Sequence, residues 1–309
     1  MLRVVVLGAA AGGGVPQWNC GCDVCLKARG EHPELRSTQA SIAISGDGKH
    51  WFLVNASPDL RQQLIATRQL HPARGQLRHS PIAGVILTNG EIDALAGLLS
   101  MREGSPFTIY AHPKVLAILK ANSIFDVLSE KNVRREPIAI DVAFEPVLPD
   151  GKASGMEILP FAVPGTSAWY LRDKTHPGGH ASQGDTLGLR IRDKATNRHF
   201  YFVAACADVT EALKARLAGA PLVFFDGTVW RDDEMITQGL GTKTGQGMGH
   251  ISMSGKSGAI ESLAGLDIDR KIFLHINNSN PALLIGSAER RALEQAGWQI
   301  PADGTEIVL

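Results

Sequence analysis

Short runs of β-branched, aliphatic and aromatic residues recur along the chain, each cut off by glycine, asparagine, aspartate or proline. Arg3 to Leu7, Ser41 to Ile44, Trp51 to Val54, Val85 to Leu87, Phe107 to Tyr110 and Met156 to Val163 are too short for helices and read as strands. Leu187 to Ile191, Phe200 to Val203, Leu222 to Asp226, Lys271 to Leu274 and Glu306 to Leu309 follow the same rule. Between them lie apolar positions of helical period: Leu60 to Thr67, a segment beginning at Asp93, Pro113 to Leu119, Val209 to Leu217, Lys256 to Ala264 and Ala288 to Ala296. Ser57 or Asn55 is the expected cap of the first of these, with Pro58 early in the helix, and His112 is expected to turn or cap the chain before Pro113. From Asn132 to Gly155 the pattern is broken by Pro137, Pro146 and Pro149 and predicts strands with irregular connections. Strands alternating with helices place the chain in the α/β (α+β) class, and both a four-layer αββα sandwich and a doubly wound sheet suit this order.

Polar residues gather where strands end. Thr88-Asn89-Gly90-Glu91-Ile92-Asp93 follows the buried run Val85 to Leu87, and loops at the carboxyl ends of strands are where sites in such folds are built. Glu91 and Asp93 are two apart, so an extended backbone would aim both carboxylates the same way. The plainer alternative is that Asp93 caps the next helix and Glu91 is solvated. Asp226 ends another strand and reads equally as support for a site or as a turn residue. His250 sits among Gly247, Met248 and Gly249, where glycines permit close approach. Lys271 to Leu274 delivers His275-Ile276-Asn277-Asn278-Ser279-Asn280-Pro281, a dense polar cluster with no structural need visible in the sequence. The polar stretch Arg172 to Gly184, with His176 and His180, predicts a pocket lid or a mobile flap, and both histidines are left out of the site.

Composition narrows the function. The 309 residues carry 31 Lys+Arg against 31 Asp+Glu, with 44% hydrophobic and 20% charged residues, so nothing electrostatic favours nucleic acid or an anionic membrane. No apolar run approaches the ~20 residues of a membrane span, and the amino terminus lacks a signal-peptide cleavage pattern, so a cytoplasmic protein is expected. Three of the four cysteines form Cys20-Gly21-Cys22-Asp23-Val24-Cys25. This C-x-C-x-x-C spacing is too tight for a disulfide framework and suits a structural zinc closed by a fourth ligand from elsewhere; three free buried thiols are the alternative. Gly8 to Gly14 follows the first strand without the G-x-G-x-x-G spacing, and Pro16 and Trp18 interrupt the helix that a dinucleotide phosphate needs. Those glycines instead predict a tight backbone turn beside a pocket.

The loop Thr88-Asn89-Gly90-Glu91-Ile92-Asp93-Ala94 resembles the T-H-x-H-x-D-H metal loop of the metallo-β-lactamase superfamily, matching it at Thr88 and Asp93. Within that superfamily the chain resembles, end to end, the pyrroloquinoline quinone (PQQ) biosynthesis protein B family. The segments that carry this are Gly12 to Cys20, Asn55-Ala56-Ser57-Pro58-Asp59, Leu222 to Thr228, Met248-Gly249-His250 and His275 to Pro281. The resemblance implies one metallo-β-lactamase-like domain over 1–309, a four-layer αββα sandwich. It also implies iron-dependent oxygenation of the tyrosine-derived ring of a PQQ precursor, with dioxygen as co-substrate. A non-catalytic carrier that moves PQQ or its precursor toward the periplasm is the alternative. Homo-oligomerisation is left open. Carried over by position, the Fe2+ ligands would be Glu91, Asp93, residue 94 and His275, the Zn2+ ligands Cys20, Cys22 and Cys25, and His250 a proton-donating pocket residue. The family has His where this chain has Ala94, which removes one imidazole. In related phosphodiesterases a His closes the zinc site at the position of Asn278.

Glu91, Asp93 and His275 offer two oxygens and one nitrogen, enough to neutralise a divalent ion while leaving positions open for oxygen and a catecholate-like substrate. A set with one imidazole should hold iron weakly and discriminate poorly against manganese or magnesium. Metal-dependent hydrolysis, the third reading, is disfavoured because Asn89 and Ala94 remove two imidazoles and Ala204-Ala205-Cys206 supplies no bridging acid.

Overall fold

The computed structural model describes residues 1–171 and 183–309, so most of the Arg172 to Gly184 stretch, with His176 and His180, lies outside the described residues. Among the described residues thirteen strands form two sheets: β1 (Arg3–Gly8), β2 (Ser41–Ser45), β3 (Trp51–Val54), β4 (Ile82–Leu87), β5 (Phe107–Ala111), β6 (Val133–Pro137) and β13 (Glu306–Val308) make the first. The second contains β7 (Met156–Ala162), β8 (Leu187–Asp193), β9 (His199–Val203), β10 (Val223–Asp226), β11 (Lys271–Leu274) and β12 (Trp298–Gln299). Their orders are β13-β1-β2-β3-β4-β5-β6 and β12-β11-β10-β9-β8-β7. Strand pairing is parallel from β3 to β6 and from β9 to β12, with Val85 opposite Ile109 and Phe225 opposite Phe273.

Both faces of each sheet are covered, which is why the strand runs are continuously apolar rather than alternating. Val4 and Val6 of β1 face inward with Ile44, Phe52 and Ile86 onto Ile158, Leu189, Phe202, Phe224 and Ile272 of the other sheet. Val5 and Leu7, one residue out of phase, pack outward with Leu60, Leu98, Val115 and Leu119 of the helical segments. On the far side Phe225 and Phe273 meet Val24, Leu213, Leu217, Leu293 and Trp298. Helix, sheet, sheet, helix is the four-layer sandwich the resemblance implied.

Several local expectations hold and some need correction. His112 caps the helix Pro113–Ala121 by accepting from the Lys114 N–H at 3.4 Å. Asn55 and Ser57 do not cap the helix Leu60–Ala66, whose N-cap is Asp59 without a side-chain bond. Asn55, at φ +63°, instead accepts from the Thr88 N–H (2.9 Å) and donates to Thr88 Oγ1 (3.0 Å), tying β3 to the start of the Glu91 loop. Asparagine tolerates that left-handed backbone better than most residues. Ser57 lies next to Gln63, with Oγ 3.1 Å from Oε1. The segment beginning at Asp93 is one turn, Ile92–Leu95, that tightens into a 3-10 helix over Ala96–Met101, and Gly97 is needed because a Cβ there would sit 2.0 Å from the Ser57 carbonyl oxygen. The expected helix over Lys256 to Ala264 shrinks to Ala259–Ser262. The helix Asp23–Arg29, whose apolar Val24, Cys25 and Ala28 are buried, is not among the predicted elements.

Candidate metal centre and thiol site

Three strand ends converge on one cavity of about 440 Å3. Its wall includes Gly12, Gly13, Gln39, Asn89, Glu91, Asp93, Thr166, Trp169, Lys243, His250 and His275. The leading glycines therefore do turn beside a pocket; a Cβ on Gly12 would come within 3.5 Å of Asp93 Oδ2. Asp93 lies inside the first turn after β4 and is not its cap, a position taken by the Glu91 backbone. Its Oδ2 is 2.8 Å from His275 Nε2. Glu91 lines the same cavity but turns one oxygen to the Trp169 N–H at 2.9 Å, while the Asn89 side chain accepts from the Glu91 N–H and the Tyr170 hydroxyl donates to the Gly90 carbonyl. The structure thus brings Asp93 and His275 into contact and places Glu91 on the same wall, bonded elsewhere.

Asp226 is the residue the sequence could not assign. It is fully buried at the end of β10, and each of its oxygens accepts two bonds: Oδ2 from the Cys206 N–H (2.8 Å) and His250 Nδ1 (2.7 Å), Oδ1 from the Thr228 N–H (3.0 Å) and Thr228 Oγ1 (2.7 Å). Asp226, His250 and His275 each have a ligand atom within 4.8 Å of the others. With both oxygens already committed to N–H and O–H donors, Asp226 orients imidazoles rather than ligating an ion. Thr228 has a single proton, and the charged acceptor at 2.7 Å outcompetes the His275 carbonyl at 3.0 Å. Its oxygen then accepts from His275 Nδ1 at 2.8 Å. The relay Asp226, Thr228, His275 therefore keeps the ring proton on Nδ1 and aims the Nε2 lone pair at Asp93, as a supporting shell does for a metal-binding histidine. His250, positioned by Gly249 at φ +99°, stacks on His275 with ring centroids 4.9 Å apart.

A lone pair facing a carboxylate oxygen at 2.8 Å calls for a cation. A proton shared by the pair supplies one. Burial would push Asp93 up, but His275 outweighs it and holds the carboxyl below its ordinary value; burial pulls His275 down, and Asp93 reverses this and holds the imidazole above its own. The spacing also fits a small metal ion, since adjacent donors with bonds of about 2.1 Å stand roughly 3 Å apart. His275 is held at φ +58°, a backbone costing about 1 kcal/mol or more that the surrounding bonds must maintain. Ala94 is buried, with its carbonyl accepting from the Ala56 N–H, and offers no donor atom.

Three residues further along the chain from His275, Asn278 reaches the thiol cluster. Asn278 directs its amide nitrogen at Cys20, Cys25 and Cys22, 3.0, 3.3 and 3.6 Å from the three sulfurs, and Arg29 ties the loop by donating to the carbonyls of Cys20, Gln17 and Trp18. Burial and the neighbouring thiols push Cys22 up to about 12. Burial also acts upward on Cys20, but the Cys22 backbone N–H and the surrounding side-chain bonds win and hold it below its usual value. Three sulfurs that cannot all ionise side by side fit a soft dication, which repays their deprotonation. A half-turn of the Asn278 amide exchanges its nitrogen and oxygen, so the same side chain could present Oδ1 as a fourth donor. The other side-chain amides of this segment have structural partners the sequence did not reveal: Asn277 donates to Ser279 Oγ at 2.6 Å, and Asn280 donates to the Gly227 carbonyl and accepts from the Ala282 N–H.

The model of the Beta-lactamase superfamily domain matches residues 50–276. A Coenzyme PQQ synthesis protein B of Bradyrhizobium diazoefficiens is 74% identical over 309 residues, covering 100% of both chains. The chain belongs to the coenzyme PQQ synthesis protein B family. A member from Gluconacetobacter diazotrophicus is 54% identical over 99% of each chain. The crystal structure of Zn(2+)-bound PqqB from Methylobacterium extorquens is 48% identical and superposes with a TM-score of 0.93 over 99% of this chain and 100% of that one. Among the described residues no helix is long and apolar enough to cross a membrane.

Proposed function

We propose that this chain acts in PQQ biosynthesis as an iron-dependent oxygenase of the tyrosine-derived ring of a PQQ precursor, with a structural zinc on Cys20, Cys22, Cys25 and Asn278. The observation that carries this reading is the Asp93–His275 pair, two electron-pair donors held 2.8 Å apart in an open cavity by a buried relay. Glu91, Asp93 and His275 would hold the ion. Ferrous iron there supplies dioxygen chemistry, with coordination positions left free by a three-residue set. The chain's own residues do the rest: Asp226 fixes His250 so that its Nε2 is free to exchange a proton with substrate, and Trp169 offers an aromatic wall for the ring.

One observation favours the carrier reading instead: the buried methyl of Ala94 leaves the ion one imidazole short. The test is anaerobic reconstitution with ferrous iron, a dihydroxyphenyl substrate, and measurement of oxygen uptake for the unaltered chain and for Ala94→His. Iron-dependent uptake by either supports the oxygenase. If neither consumes oxygen while PQQ binds equally with and without iron, the carrier reading replaces it, and turnover of phosphodiesters with manganese or zinc would replace both.

A further inference from the structure

The cavity wall holds two acids, Glu91 and Asp93, and, among the described residues, one side chain of fixed positive charge, Lys243. Many of the chain's lysines are spoken for: Lys27, Lys114, Lys152, Lys194 and Lys214 each pair with a carboxylate. Lys243 has no ion pair or hydrogen bond among the described residues, although acids line the same cavity. Nor is its backbone loosely placed. The next residue, Thr244, caps the turn Gly245–Met248 by accepting from the Gly247 N–H at 3.1 Å. Asp232 accepts from the Gly245 N–H through its carbonyl and from the Gln246 N–H through its carboxylate, both at 2.8 Å. The His250 N–H closes the loop on the Gly245 carbonyl at 2.9 Å. One short loop therefore presents both the stacked imidazole His250 and an uncommitted ammonium to the same space. The charge of Asp93 is offset by His275, and a bound dication would offset both acids, so a polar aromatic carrying carboxylates finds positive charge to spare only at Lys243; no arginine among the described residues lines this wall.

We infer that Lys243 is a specificity-determining residue that receives a carboxylate of the substrate. This rests on reading the cavity as the site for a PQQ precursor, and binding of PQQ itself, measured without iron or oxygen, separates the two. Fluorescence or dialysis titration with PQQ should show Lys243→Met binding about five- to tenfold more weakly, an effect that shrinks as salt rises, while Lys243→Arg stays within about twofold. A catechol lacking carboxylates should bind both forms alike. In turnover, Lys243→Met should raise KM more than it lowers kcat. Equal PQQ affinity in Lys243→Met and the unaltered chain overturns the assignment, as does failure of the unaltered chain to bind PQQ. Lys243-dependent binding by a protein that consumes no oxygen would leave the anchor standing and remove the oxygenase.

Discussion

Asp226→Asn is the substitution that separates orientation from ligation. The carboxylate accepts four bonds at 2.7 to 3.0 Å with no exposure to solvent. An amide keeps an acceptor on one side only and turns an NH2 toward two donors on the other. If it keeps the Thr228 side, the buried Cys206 N–H is orphaned, at a cost of about 1–3 kcal/mol, and the charge-assisted bond to His250 is lost, at about 1.5–3 kcal/mol. The sum, roughly 2.5–6 kcal/mol, should lower the melting midpoint by roughly 5–12 °C, using the shallow end of the size scaling. His250 must then accept at Nδ1, so its proton moves to Nε2. Calorimetry gives the first quantity, and nitrogen chemical shifts of the imidazoles give the second. A midpoint within about 2 °C of the parent, with His250 still protonated on Nδ1, would refute the argument that Asp226 carries both rings.

Removing either half of the facing pair, Asp93→Asn or His275→Ala, should weaken ferrous binding by at least tenfold, read by anaerobic titration, while zinc content stays at one equivalent. Ala94→His should slow iron loss to a chelator; because enlarging a buried side chain costs about 1–3 kcal/mol, the melting midpoint is recorded beside it. Cys25→Ser should lose zinc by metal analysis and, because His275 and Asn278 lie three residues apart on one segment, should also lower ferrous affinity. Burial alone would raise Asp193, but the Met1 ammonium at 2.7 Å and the Ala195 and Thr196 N–H groups outweigh it and hold its carboxyl below the ordinary value. Its stabilising contribution is therefore present above the unfolded value near 3.8 and disappears as pH falls through the lower folded value, so Asp193→Asn should flatten the acid limb of stability against pH.

Strand runs such as Trp51 to Val54 and Lys271 to Leu274 were legible because a sheet buried on both faces selects continuous apolar residues, a local property of the chain. The cysteine spacing and the polar strand ends could be read for the same reason, since the chemistry lies in neighbouring residues. Helix lengths were less legible where a close contact decided them, as at Gly97 against the Ser57 carbonyl. The sequence by itself determined the strand runs and, through the family resemblance, the layers, and it named Glu91, Asp93, His250 and His275 as candidates. Only the tertiary structure decided that Asp93 meets His275, that Asp226 governs both imidazoles through partners 24 and 47 residues from its ends of the relay, and that Lys243 faces the same cavity. Those relations depend on where separate strands stop in space, and no local pattern of apolar and polar residues encodes a distance between two loops far apart along the chain.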